Sequence, residues 1–163
     1  MTVIEHGGAE SRVGAFPISI DFADFNRLAQ SEEVAEAAWN FHANLPNRQI
    51  VLGVDRLDYT KGIPRRLLAF ENLLERHPEI HGKISLAQIV VPSRTDVPEY
   101  QAWKRRLDEL VGAINGRFYR DGWVPIHYSF RSMTRVELLG HYRAAEIALV
   151  TPLRDGMNLV AKE

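Results

Sequence analysis

Gln49-Ile50-Val51-Leu52-Gly53-Val54-Asp55-Arg56-Leu57-Asp58-Tyr59-Thr60-Lys61-Gly62-Ile63-Pro64-Arg65-Arg66-Leu67 is the stretch that decides the fold. From Gln49 to Val54 it is a continuous β-type run, and Pro64 opens a helix in which Leu67, Phe70 and Leu74 fall on one face. A strand that is apolar throughout, rather than at alternate positions, is buried on both faces. Followed at once by an amphipathic helix, it predicts a βα unit of a parallel sheet.

The pattern repeats toward the C-terminus. Ile84 to Val91 reads as the next strand, and Asp96 with Glu99 suggests a capping box for a helix reaching about Ile114. Ile126 to Phe130 and Ile147 to Thr151 give two more strands, separated by a helix capped at Thr134 with Glu137 three residues on. A last helix is expected from about Gly156. The order β-α-β-α-β-α-β-α implies an α/β, Rossmann-like parallel sheet.

Toward the N-terminus the reading is less regular. Val13 to Ile20 resembles a strand broken at Pro17, Asp21 opens a helical stretch through Leu28, and Ser31 caps a helix running to about Ala43. We therefore divide the chain into residues 1–20 as a crossover, 21–45 as a helical connector and 46–163 as the Rossmann-like domain. The expected final helix meets the last residue without a C-cap signal, so the sequence reads as an excerpt.

Composition narrows the function classes. Twenty Lys plus Arg against 21 Asp plus Glu leave a formal charge of -1 over 163 residues, so nucleic acid and anionic membranes are not expected partners. Any bound anion must be held by local groups. There is no Cys, which excludes disulfides, thiolate nucleophiles and Cys-based zinc sites and fits a cytoplasmic protein. No apolar run reaches the roughly 18 residues of a membrane helix. The six His residues lack metal-ligand spacing, and no Gly-x-Gly-x-x-Gly follows any strand. Neither metal nor cofactor is expected.

In an open parallel sheet, ligands bind beyond the carboxyl ends of the strands, where two unusual segments lie. In the first, Arg56 and Lys61 on one loop can neutralise a diphosphate, Arg as a planar fork and Lys as a movable point charge. The same residues could instead pair with Asp55 and Asp58 on a solvated turn. In the second, backbone amides from Gly156, Met157, Asn158, Leu159 and Val160 would face an anion at a helix N-terminus. Asp155 beside them repels phosphate and is better suited to accept from sugar hydroxyls; Glu163, about 12 Å further along a helix, would serve another part of the ligand such as a ribose. Alternatively, Asp155-Gly156 is a simple turn and Glu163 a surface residue. Arg94 is a third cation at the same rim, able to grip a second anion or to serve as a salt-bridge residue. Arg65-Arg66 and Lys104-Arg105-Arg106 read as solvated helix faces.

Gly53 to Ile63, Pro92-Ser93-Arg94 with Tyr100, and Thr151-Pro152-Leu153-Arg154-Asp155-Gly156-Met157-Asn158-Leu159-Val160-Ala161-Lys162-Glu163 resemble, in order and spacing, successive signatures of the trehalose-6-phosphate synthases. Ala15 to Asp21 resembles that family's crossing between domains, so the likeness covers nearly the whole chain. The resemblance implies a GT-B glycosyltransferase that moves glucose from UDP-glucose to glucose 6-phosphate with retention and without a metal. It implies that Arg56 and Lys61 hold the donor diphosphate with the amides of Leu159 and Val160. Asp155 and the amides of Gly156, Met157 and Asn158 would hold the transferred glucose, Glu163 the ribose, and Arg94 the acceptor phosphate. Ser132 and Met133 would flank the uracil. Arg56, Lys61 and Asp155 are the expected catalytic groups. The family's amino-terminal domain is not represented, so the chain is expected to carry the donor side alone and to be inactive by itself; a homo-oligomeric parent protein stays open. A related transferase such as glucosylglycerol-phosphate synthase, or a non-catalytic sugar-nucleotide-binding domain, is the alternative.

Overall fold

The computed structural model describes residues 2–163. Its centre is a four-stranded parallel sheet of β3 (Gln49–Arg56), β4 (Ile84–Val91), β5 (Ile126–Phe130) and β6 (Ile147–Ala148), in the order β5-β4-β3-β6. The chain builds outward from β3 to β4 and β5, then returns to place β6 on the other side of β3. The strand order thus reverses between β3 and β6, which is where ligands enter such sheets.

Helices cover both faces. On one side lie α3 (Ile63–Arg76) and α4 (Pro98–Phe118), whose Leu67, Leu74, Leu107 and Ile114 pack with Val51, Leu86 and Val90 in the main core. On the other lie α2 (Glu32–Ala43) and α5 (Arg135–Ala144), with a smaller core of Leu45, Ile50, Leu52, Ala87 and Ile89. β3 and β4 are buried almost end to end, as their mostly apolar runs require. The expected caps form at Ser31, whose hydroxyl accepts from the Val34 amide at 3.4 Å, and at Thr134, where Glu137 completes a capping box. Among the described residues no helix is long and apolar enough to cross a membrane.

Five expectations are corrected. Residues 14–20 form no strand; instead β1 (Thr2–His6) and β2 (Ala9–Val13) make an antiparallel hairpin over Gly7-Gly8, exposed along its length. From Asp21 the short helix α1 (Phe22–Ala29) follows as expected, with the Asp21 carboxylate accepting from the Asp24 amide at 3.0 Å. Asp96 and Glu99 form no capping box: α4 starts after Val97, without a side-chain cap and with Pro98 in its first turn. β6 covers two residues rather than Ile147 to Thr151, because it pairs only with Val51 and Leu52 before the chain turns away. Residues 156–163 form no helix; one turn closes when the Lys162 and Glu163 amides donate to the Leu159 carbonyl, at 2.8 and 3.1 Å. Arg66 is no solvated residue but is 3% exposed, turned from α3 onto the sheet.

Candidate functional site

The loops leaving β3 and β6 meet at the strand-order reversal. After Arg56, the Asp58 carboxylate accepts from the Thr60 amide at 2.9 Å and hydroxyl at 2.7 Å, which winds Tyr59–Lys61 into one 3₁₀ turn. Gly62 ends that turn at φ 67° and lies against the Thr151 carbonyl, 3.1 Å from where a Cβ would stand. A side chain there would be strained in conformation and short of room. The Thr60 carbonyl then accepts from the amides of Leu153, at 2.8 Å, and Arg154, at 3.2 Å. These two bonds fasten the first loop to the second.

Two of the expected residues, Lys61 and Asp155, meet across that junction. Lys61 Nζ sits 2.6 Å from Asp155 Oδ2, although the two are 94 residues apart in sequence. The hydrogen bond from Lys61 holds the Asp155 carboxyl below its usual range. Asp155 also accepts from the Met157 amide at 3.3 Å and from Asn158 Nδ2 at 3.1 Å. Arg56 stands at the end of β3 with its side chain 62% exposed, 3.9 Å from Asp58 Oδ2. Burial would raise the Asp58 carboxyl, but the Thr60 bonds, with Arg56 and Arg94 nearby, hold it low. The solvated-turn alternative is therefore half right: Arg56 does approach Asp58, whereas Lys61 crosses to the other loop and Asp55 is held elsewhere.

The second loop supplies donors. Among the described residues, the amides of Gly156, Asn158, Leu159 and Val160 find no acceptor in the protein. Unpaired amides on the loop that Lys61 reaches can hold an anion without needing a helix dipole. Nothing lies within 4 Å of a Cβ built on Gly156, so the space above it is open. The chemistry expected of this segment does not require the helix that failed to form.

The other expected residues surround this junction. Arg94, on the loop after β4, adopts φ 49°, a left-handed conformation rare for a side-chain-bearing residue, and donates to Tyr100 Oη at 3.1 Å while lying 5.6 Å from that ring's centre. Ser132 is exposed after β5, and Met133 packs partly into the smaller core with Val54, Tyr142 and Ala145. Glu163 accepts from Tyr142 Oη at 2.5 Å, and burial, followed by this carboxylate, raises the tyrosine hydroxyl well above its usual range. A cavity of about 210 Å³ between them is lined by Val54, Tyr142, Ala145, Val160 and Glu163. Lys162 donates to the Ile18 carbonyl at 2.7 Å, tying the second loop to the segment before α1.

Sequence reading missed the residues that hold the site rather than form its surface: Tyr142, Thr60 through its carbonyl, and the group formed by Asp55, Arg66, Gln88 and Thr151. The available signal was polar residues inside otherwise apolar runs, Asp55 at the end of β3 and Gln88 in the middle of β4.

The sequence profile described as Glycosyltransferase family 20 matches residues 2–163. The bifunctional trehalose-6-phosphate synthase/phosphatase of Thermoproteus tenax is 47% identical over 163 residues, which is all of this chain and 22% of that protein. Among solved structures, an alpha,alpha-trehalose-phosphate synthase (UDP-forming) from Burkholderia xenovorans in complex with glucose-6-phosphate superposes with a TM-score of 0.93 at 40% identity, covering 98% of this chain and 35% of that one. A structure described as trehalose-6-phosphate from E. coli bound with UDP-2-fluoro glucose gives a TM-score of 0.88 at 39% identity, covering 99% of this chain and 37% of the other. The chain thus spans between about a fifth and two fifths of the relatives it matches.

Proposed function

The chain belongs to glycosyltransferase family 20, and on that footing we propose that it is the donor-binding part of a retaining glucosyltransferase that forms trehalose 6-phosphate and UDP from UDP-glucose and glucose 6-phosphate. The observation that carries this reading is the meeting of Lys61 with Asp155 at the strand-order reversal, with Arg56 at the end of β3 and the unpaired amides of Gly156, Asn158, Leu159 and Val160 on the second loop. As the glycosidic bond breaks, negative charge grows on the departing diphosphate. Arg56, Lys61 and the amides of Leu159 and Val160 would be donors for that charge, so the reading needs no metal.

Asp155 and the amides of Gly156, Met157 and Asn158 would hold the glucose hydroxyls, Glu163 the ribose, Arg94 the acceptor phosphate, and Ser132 and Met133 the uracil edge. Lys61 must leave Asp155 to meet phosphate, which frees the carboxylate for sugar hydroxyls in the same step. Retention without an enzyme nucleophile fits front-face attack, with the leaving phosphate accepting the proton of the acceptor hydroxyl. The acceptor pocket needs a second cleft wall, so this chain alone would bind donor without turnover. A cysteine-free composition fits a cytoplasmic setting.

Calorimetric titration of UDP and UDP-glucose into the chain and its Arg56→Ala variant tests the reading. The unsubstituted chain should bind both at about millimolar or tighter, and the variant about tenfold more weakly. Binding of neither nucleotide, or equal binding by the variant, would refute it.

A further inference from the structure

Beneath the rim, the face of the sheet covered by α3 carries charge where the pattern calls for apolar residues. The side chains of Arg66 and Asp55 are 1% and 4% exposed and are paired through Arg66 Nη1. The same nitrogen donates to Gln88 Oε1 at 3.0 Å, and Arg66 Nε donates to Thr151 Oγ1 at 2.9 Å. Gln88 Nε2 in turn donates to the Gly53 carbonyl at 3.2 Å. Gly53 has no room for a side chain, since a Cβ would stand 2.7 Å from both Arg66 Nη1 and Gln88 Oε1.

Burying an ion pair gives little net stability compared with apolar residues of the same volume, so its presence calls for a geometric reason. The guanidinium reaches three separate pieces of the sheet: Asp55, next to Arg56 on β3; Gln88 on β4; and Thr151, four residues before Asp155. The ladder between β3 and β6 ends after Leu52 and Ala148, followed only by a bond from the Leu149 amide to the Leu52 carbonyl at 2.8 Å. Beyond that point the strands are no longer paired, and the loops that follow are rejoined at the Thr60 carbonyl by the amides of Leu153 and Arg154. Arg66 spans them where the ladder no longer does.

We infer that Arg66 is a positioning residue, which through Thr151 sets the spacing between the Arg56–Lys61 loop and the Asp155 loop. Only the consequence for ligand binding rests on the donor-site reading above; the brace itself is a property of the free chain. Arg66 would set how far Lys61 lies from Asp155 before donor arrives, and how closely both loops close on a diphosphate afterwards.

Thr151 is exposed, so replacing it leaves the core intact. Thr151→Val removes the acceptor for Arg66 Nε while keeping the shape, and Thr151→Ser keeps the acceptor. The readouts are the NMR titration midpoint of the Asp155 carboxyl, which needs no ligand, and UDP affinity by calorimetry. Thr151→Val should raise the Asp155 midpoint by about half a pH unit and weaken UDP binding about five- to tenfold, with Thr151→Ser close to the unsubstituted chain in both. An unmoved midpoint in Thr151→Val, or an equal shift in both variants, would overturn the inference. If the unsubstituted chain binds no UDP, the donor-site reading fails while the titration still decides the brace.

Discussion

Two ion pairs lie one above the other at the strand-order reversal, Asp55–Arg66 below and Lys61–Asp155 above, and they are built from similar groups for different work. The lower pair is sealed, with side chains 4% and 1% exposed; the upper pair is 18% and 15% exposed and opens to solvent. Burial raises the Asp55 carboxyl despite Arg66 and Gln88, whereas the hydrogen bond from Lys61 lowers the Asp155 carboxyl. Below, desolvation outweighs attraction and the pair serves geometry; above, attraction prevails and Lys61 can exchange Asp155 for another anion. The pair that looks stronger is the one least able to act on a ligand.

The hardest test of this contrast is to remove each cation. Arg66→Met leaves Asp55 buried without its partner, and urea unfolding should show a loss of about 3–5 kcal/mol. Lys61→Ala removes a partly solvated partner and should change stability by less than about 1 kcal/mol. For donor binding the order reverses: on the proposed donor-site reading Lys61→Ala would lose a direct phosphate contact and leave the Asp155 charge unopposed beside the diphosphate, so UDP affinity should fall about tenfold or more. Equal stability losses in the two variants would erase the distinction between the layers.

The upper layer was far more legible in the sequence than the lower. Arg56 ends β3, and Lys61 and Asp155 stand in the loops after β3 and β6, where a charged residue has no packing role and so signals chemistry. Arg66 stands in a helix beside Arg65, a position that reads as solvated; only the depth of the sheet, with Asp55 and Gln88 facing α3, shows otherwise. The strands β3 and β4 were readable because double-sided burial leaves mostly apolar runs, whereas the edge strand β5, Ile-His-Tyr-Ser-Phe, is half-buried. The hairpin β1–β2 was not, because both strands are exposed throughout and carry no buried face to pattern them, although Gly7-Gly8 was a turn signal. The short β6 was not readable because local propensity cannot tell where a strand loses its neighbour.

The smallest expected effect is also the cleanest contrast, because the two aspartates should give pH dependences of opposite sign. Asp155 has its carboxyl below the ordinary 3.8 in the folded chain, so its contribution to stability is present above that value and is lost as pH falls through the folded value. Asp55 has its carboxyl above 3.8, so its contribution is full below that value and is lost as pH rises through the folded value. Urea unfolding of the unsubstituted chain, Asp155→Asn and Asp55→Asn between about pH 2.5 and 6 isolates each group as a difference from the unsubstituted chain. The difference for Asp155 should grow as pH rises through the acid range, and that for Asp55 should shrink as pH rises above 3.8. The unpaired Arg66 left by Asp55→Asn adds an offset that does not titrate in this range, so only the slopes bear on the comparison. Slopes of the same sign would mean that burial does not dominate at Asp55, and that the lower pair is held by the same attraction as the upper.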